Sequence, residues 1–289
     1  MSLHEFDYPA PAKLNLFLHV VGRRDDGYHL LQSVFTLIDR CDSVRLNVRD
    51  DGVVRRLSDL PGVSPDKDLA VRAALMLQEA SGTRHGVDIT VDKRIPLGGG
   101  LGGGSSDAAT VLLALDRLWE TRFGPDALAE LGSALGADIP FFLRGTTAWA
   151  EGIGERLIPL EIPRRWYLVL TPPVAVPTGT VFAAPELTRD TEPLKMEDFS
   201  ARALESRVFA SVDGFRNDLE AVVTKGYPVV AQYLEWLRGR ADARMTGSGS
   251  CVFAQFESRE AAERVLRQLP GSMKGFIAQG LIHHPLRVQ

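Results

Sequence analysis

The sequence predicts an α+β protein in two parts. Three observations carry that expectation. Apolar and polar residues alternate over short segments in the first hundred residues, as in strands with one buried face, and further strand-like segments follow after residue 160. Apolar residues recur at helical spacing between and after those segments. The texture changes at Glu161-Ile162-Pro163-Arg164-Arg165, a short charged and proline-bearing segment that reads as a linker. The expected units are therefore 1–163 and 164–289, and a chain of 289 residues suits one large or two moderate domains.

The elements follow in order. In Lys13 to Val20, Leu14, Leu16 and Leu18 share one face, and Lys13, Asn15, Phe17 and His19 share the other, which predicts a half-buried strand. Asp25-Asp26-Gly27 marks a turn. Val34 to Ile38 and Val44 to Val48 read as two further strands. Leu69, Ala73, Leu77 and Ala80 predict a helix over 66–80. Val87, Ile89 and Val91 alternate as a strand that feeds a glycine run. Beyond the run, Ala108, Val111, Leu112, Leu115, Leu118 and Trp119 form a helical stripe, with Ser105 or Ser106 placed to cap it. A second helix opens at Pro125, carries Leu128, Leu131 and Leu135, and stops at Gly136. Trp166 to Leu170 reads as a strand, and 183–212 has no firm period. Asn217 and Glu220 have capping-box spacing and open a helix toward Leu237. Two short strands flank Thr246-Gly247-Ser248-Gly249; a helix over 258–268 and a strand near 275–282 complete the chain. No internal repeat interrupts this order.

Composition excludes several roles. The net charge is −4, from 33 basic and 37 acidic residues, whereas sequence-independent nucleic-acid binding relies on a large basic excess. Two cysteines, Cys41 and Cys251, lack metal-ligand spacing and make no disulfide framework, as in a reducing compartment. The N-terminal segment lacks the basic and apolar regions of a signal peptide, and no apolar run reaches the roughly 20 residues a membrane helix needs. The expectation is a cytoplasmic protein with a small-molecule substrate, no nucleic acid, no membrane and no obligate protein partner.

The most informative stretch is Pro96-Leu97-Gly98-Gly99-Gly100-Leu101-Gly102-Gly103-Gly104-Ser105-Ser106, where six of the seven positions 98–104 are glycine. Such a run forms neither strand nor helix, but it brings bare backbone N–H groups close to a bulky anion, and at a helix start it makes a phosphate cradle. The absence of Gly-Lys-Ser/Thr excludes a Walker loop. The match to Gly-x-Gly-x-x-Gly follows from glycine density alone. The strand before it alternates instead of reading as a continuous apolar run, and the position where a ribose-binding acid would end a second strand falls at Glu120, past a helix.

Taken alone, Asp138 reads as a turn acid, Lys13 as a solvated strand lysine, Tyr28 and His29 as hairpin residues, and Thr178 with Phe182 as a loop and a core aromatic. Phosphoryl transfer needs a base near the acceptor hydroxyl and a cation near the transferring group. Asp138 and Lys13 have that chemistry, but spacing alone does not bring them together.

Together these segments resemble the GHMP kinase family, whose hallmark is a P-x-x-x-G-L-x-S-S-type phosphate loop; here Pro96–Ser106 is a glycine-expanded form. The resemblance extends through Ala12 to Leu16, Asp26 to His29, Gly136 to Phe142, Pro177-Thr178 with Phe182, Asn217 to Glu220, and Thr246 to Cys251, which together span nearly the whole chain. It implies a two-domain GHMP kinase fold, with a ribosomal-protein-S5-like N-terminal half that binds ATP, a ferredoxin-like C-terminal half, and a site in the cleft between them. Within the family the likeness is to members that phosphorylate the 2-hydroxyl of a cytidylylated methylerythritol for isoprenoid synthesis. On that likeness, residues Pro96 to Ser106 would wrap the ATP phosphates and Asp138 would act as base. Lys13 would orient the hydroxyl, and Asn15 and Thr178 would line the pocket. Tyr28 and Phe182 would sandwich the cytosine, and His29 would read its polar edge. Mg²⁺ is expected with ATP, held mainly by phosphate oxygens with Ser106 as the candidate protein ligand, because no family-type metal-binding Glu is evident. Leu30 and Gly179-Thr180 depart from the family pattern. The phosphate loop also fits family members acting on homoserine, mevalonate or a sugar, and a non-catalytic ligand-binding regulator on the same fold.

Overall fold

The structure, a computed structural model, describes residues 6–60, 62–204 and 215–287. In chain order the first half holds β1 (Phe6–Arg23), β2 (His29–Arg49), β3 (Val54–Arg56), α1 (Leu69–Ser81), β4 (Gly86–Asp92), α2 (Gly103–Leu118), α3 (Gly124–Ser133), α4 (Ile139–Arg144), β5 (Ala148–Glu151) and β6 (Arg156–Pro159). The second half holds β7 (Trp166–Leu170), α5 (Thr178–Ala183), α6 (Met196–Leu204), α7 (Glu220–Gly226), α8 (Pro228–Arg238), β8 (Ala243–Met245), β9 (Val252–Phe256), α9 (Arg259–Leu266) and β10 (Gly275–Leu281).

β2 is the spine of the molecule. One of its edges pairs with β1 in a long antiparallel hairpin closed at Gly27. Its other edge is shared in succession by β5, β10 and β4. Helices α1 to α4 pack on the first half around Leu77, Leu112 and Phe141. In the second half, β7, β9 and β8 follow β10 in sheet order, all antiparallel. With α9 between β9 and β10 and helices between β7 and β8, this is a β-α-β-β-α-β ferredoxin-like arrangement. A third buried cluster, including Phe17, Trp149, Phe199, Phe215 and Phe253, draws on both halves.

Several expectations need correction, each for a physical reason. The strand around Lys13 is buried on both faces: Lys13, Asn15 and His19 are as inaccessible as its leucines. The expected pair of strands over 34–48 is one continuous strand, β2, because its central Asp42 has buried partners. Asp42 Oδ1 accepts the backbone N–H groups of Arg94 and Ile95, and Oδ2 accepts from Lys93. The helix expected toward Leu237 is two helices. Pro228 lacks an N–H and pushes Tyr227 out of the helical region, to φ −131° and ψ 83°. Asn217 does not cap that helix. Its side chain accepts from Leu219 N–H and donates to the carbonyls of Met245 and Gly247, while Glu220 accepts from Met245 N–H.

Neither serine caps α2; Gly102 is its N-cap, in the left-handed region at φ 71°, and Ser105 and Ser106 lie within the first turn. The segment after Asp138 forms the short helix α4, where Pro140 sits in the first turn and needs no donor. Helices α5 and α6 fall within or beside the span without a period; positions 205–212 of that span lie outside the described residues.

Candidate active site

β1, the glycine run, the start of α4 and α5, and the Thr246–Gly249 loop converge on one cleft of about 880 Å³. The polar face of β1 supplies its floor. Lys13 enters here because its backbone N–H is pinned to the Leu101 carbonyl at 3.0 Å, which ties β1 to the glycine run. Its ammonium donates to Asn15 Oδ1 at 2.6 Å and lies 3.3 Å from Asp138 Oδ2. It also stands over the Phe35 ring, 4.7 Å from the centroid, in cation–π range. Asp138 reaches this point because it is the N-cap residue of α4, and its side chain is not spent on capping. Its carboxylate remains about one-third exposed to the cleft, whereas Lys13 is buried.

Asn15 is oriented from below. Its Nδ2 donates to Ser33 Oγ at 2.9 Å, and Ser33 in turn donates to the Phe17 carbonyl at 2.5 Å. With the amide nitrogen committed, the amide oxygen faces Lys13. Asn15 N–H donates to Thr246 Oγ1 at 2.9 Å, which joins the floor to the second glycine loop.

Residues Pro96 to Ser105 line the cleft, and the first turn of α2 places its unpaired N–H groups and the positive end of the helix dipole there. At Gly100, φ is 75°, and a Cβ would stand 2.3 Å from the Thr246 carbonyl oxygen. The two glycine loops therefore touch through bare backbone, a packing that a side chain would break. Ser106 lies outside the cleft: it is fully buried and donates its hydroxyl to the Pro11 carbonyl at 2.7 Å. Ser105 is the hydroxyl of that turn that lines the cleft.

Lys93 also lines the cleft, with its ammonium held between Asp42 and Asp107, 2.7 Å from the latter. Burial opposes its charge, but the two carboxylates outweigh burial and raise its pKa. Burial pushes the Asp107 carboxyl up as well. Among the described residues, no group of three or more His, Cys, Asp and Glu is placed to hold a metal ion.

Tyr28, which also lines the cleft, is largely exposed, at 60%. The His29 and Phe182 rings touch, with centroids 5.0 Å apart and planes 31° from parallel. Thr178 Oγ1 lies 2.8 Å from Ser248 Oγ across the cleft. Tyr28, His29, Thr178 and Phe182 thus line the same cleft as the Lys13–Asp138 pair. Sequence reasoning missed Ser33, Lys93 and Arg189, and it gave Thr246 no role of its own although the Thr246 to Cys251 segment carries the family resemblance. Ser33 and Lys93 sit in ordinary strand or loop contexts with no motif. Arg189, whose Nε donates to His29 Nε2 at 3.0 Å, sits in the stretch without a period.

Comparisons with known proteins agree with this architecture. The model for the GHMP kinases N terminal domain matches residues 68–146, and that for the GHMP kinases C terminal domain matches 200–275. The chain is 59% identical to a protein of Thiobacillus denitrificans named 4-diphosphocytidyl-2-C-methyl-D-erythritol kinase, over 96% of each chain. It is 56% identical to a protein of the same name from Aromatoleum aromaticum, over 97% of this chain and 95% of that protein. A crystal structure of 4-(cytidine 5'-diphospho)-2C-methyl-D-erythritol kinase superposes with a TM-score of 0.81 at 36% identity, over 95% of this chain and 99% of that one. A homoserine kinase from Cytophaga hutchinsonii, at 18% identity and a TM-score of 0.69, shares the fold. With both family domains matched and near full-length identity well above half, the chain belongs to the GHMP kinase family.

Proposed function

We propose that this chain transfers the γ-phosphoryl group of ATP to the 2-hydroxyl of 4-diphosphocytidyl-2-C-methyl-D-erythritol, giving the phosphate monoester and ADP. The observation that carries the reading is the 3.3 Å approach of Lys13 to Asp138 in a glycine-walled cleft. In-line transfer through a loose transition state asks the protein mainly for positioning and charge stabilisation. The glycine run offers backbone N–H groups to the phosphates. Asp138 accepts the hydroxyl proton as the new P–O bond forms, and its partial exposure leaves an oxygen open to the acceptor. Lys13 holds the carboxylate and the hydroxyl in register and offsets charge on the transferring group. Asn15, fixed by Ser33, holds Lys13 in turn.

Mg²⁺, carried by phosphate oxygens and its own waters, would neutralise charge on the β- and γ-phosphates. A cation of that kind needs few protein ligands, and Ser105 is the loop hydroxyl facing the cleft. The base-bearing end of the substrate would lie against Tyr28, His29 and Phe182, where stacking contributes affinity and hydrogen bonds contribute selectivity.

The test is ATP-dependent ADP release in the presence of the cytidylylated alcohol, homoserine, mevalonate or galactose in turn. Turnover with the cytidylylated alcohol alone is expected. Comparable turnover with one of the other alcohols, or nucleotide binding with no turnover at all, overturns the assignment.

A further inference from the structure

We propose that Arg189 is a positioning residue that locks His29 as its neutral Nδ1–H tautomer, making the ring a fixed hydrogen-bond donor to an acceptor atom on the substrate's nucleobase. This rests on the reading of the cleft as the seat of a cytidine-bearing alcohol. The argument starts from donor chemistry. A guanidinium has five N–H donors and no acceptor. Arg189 Nε lies 3.0 Å from His29 Nε2, so that nitrogen must present a lone pair and the proton of the neutral ring must sit on Nδ1.

The guanidinium has little freedom to turn away. Nη1 donates to the Leu187 carbonyl at 2.9 Å and the Pro185 carbonyl at 3.4 Å. Nη2 donates to the Ala184 carbonyl at 2.6 Å and the Phe182 carbonyl at 3.2 Å. One side chain therefore closes the last turn of α5, fixes the backbone of Phe182 and sets the His29 ring beside it. Among the described residues His29 Nδ1 has no hydrogen-bond partner, and it is not among the sealed, unpaired polar atoms of the structure. It is the nitrogen left to a ligand in the cleft that the ring lines.

The charges facing the ring favour the same state. Arg23 approaches from β1 and Arg189 from the turn beyond α5; Asp26, in the β1–β2 turn, is paired with Arg24 at 2.6 Å. Burial first, then Arg189 and Arg23, lower the His29 pKa below its ordinary value. The ring stays neutral at pH 7 and keeps Nε2 free for the guanidinium.

The experiment pairs a direct readout with kinetics. Long-range ¹⁵N–¹H correlation spectra of ¹⁵N-histidine protein should show His29 as the Nδ1–H tautomer at pH 7. In Arg189→Met the ring should become a tautomer mixture with a raised pKa. The KM for the cytidylylated alcohol should rise about 3- to 10-fold, the loss of roughly one net hydrogen bond, with kcat and the KM for ATP within about twofold. The acid limb of that KM–pH profile should move upward. In a His29→Ala background Arg189→Met should add no further rise, because Arg189 acts through the ring. A wild-type spectrum showing the Nε2–H tautomer overturns the proposal, even if Arg189→Met fails to fold. So does an undiminished Arg189→Met effect in the His29→Ala background. If the cytidylylated alcohol is not a substrate, turnover fails while the tautomer stands, so the two readings fail separately.

Discussion

Gly100→Ala tests whether the two glycine loops must touch through bare backbone. At Gly100 the backbone has φ 75°, and an added Cβ would stand 2.3 Å from the Thr246 carbonyl oxygen and 3.1 Å from that of Gly249. Holding alanine in the left-handed region costs roughly 1–2 kcal/mol. An ordinary carbon–oxygen contact is about 3.3 Å or more, so the loops must part by about 1 Å. Neither neighbour is a flexible side-chain tip. Thr246 is tied to β1 through Asn15 N–H, and Leu101, next to Gly100, is tied to Lys13 N–H. The displacement therefore reaches both the phosphate cradle and Lys13. A misplacement of about 1 Å at a reacting centre costs on the order of 10²-fold in rate. The expected result is a fall of that order in kcat/KM for ATP, read by coupled ADP release. A stability loss of about 1–2 kcal/mol should also lower Tm by roughly 2–8 °C. Gly271→Ala is the control, since nothing lies within 4 Å of its added Cβ and its φ is not left-handed. A Gly100→Ala enzyme within threefold of wild-type kcat/KM for ATP would refute the reasoning.

Two further outcomes follow from the same geometry. Ser33→Ala removes the acceptor that orients the Asn15 amide, so kcat should fall about 3- to 10-fold with little change in KM for ATP, and Ser33→Thr should restore most of it; equal kcat in Ser33→Ala would show that Asn15 needs no orientation. His284 is fully buried, accepts Leu286 N–H at Nδ1, and has its pKa pushed down to about 4 by burial and then by Arg287. The unfolded chain therefore binds the proton more readily, so the stability is complete above about pH 6.5 and is lost as pH falls toward 4. Between pH 7 and pH 5 this group should account for about 2 kcal/mol of that loss. His284→Asn, which keeps an acceptor for Leu286 N–H, should show a correspondingly shallower pH dependence of the urea midpoint; parallel slopes would remove His284 from the acid response.

Most of the fold was legible in the sequence. The helical stripe of Leu112 and Leu115, the strand alternation of Val87 to Val91, and the helix over 258–268 each depend on local period and local chemistry, and each stands close to where expected. Three of the failures have a common cause. Val34–Ile38 and Val44–Val48 read as separate strands because the partners that hold Asp42 between them, Lys93 and the N–H groups of Arg94 and Ile95, are distant in sequence. Lys13 and Asn15 read as a solvated face because nothing local says that the glycine run covers them. Asn217 reads as a helix cap, yet its amide holds the second glycine loop.

The site divides in the same way. The glycine run declares itself, and the family likeness picks out Lys13, Asp138, Tyr28, His29 and Phe182. Ser33 holds Asn15 and Arg189 holds His29, and a lone serine on a strand or a lone arginine in a turn carries no periodic or motif signal. Ser106, equal to Ser105 in the sequence pattern, is turned inward by the register of α2 and bonds to Pro11.

The central claim is that Asp138, beside Lys13, takes the proton from the acceptor hydroxyl. Single-turnover phosphoryl transfer from ATP to the cytidylylated alcohol, compared between the wild type and Asp138→Asn, tests it most directly. The substitution keeps the size of the side chain and removes its charge, so nucleotide affinity should persist while the transfer rate falls about 10²- to 10⁴-fold. An Asp138→Asn enzyme that transfers phosphate within threefold of the wild-type rate would contradict the account.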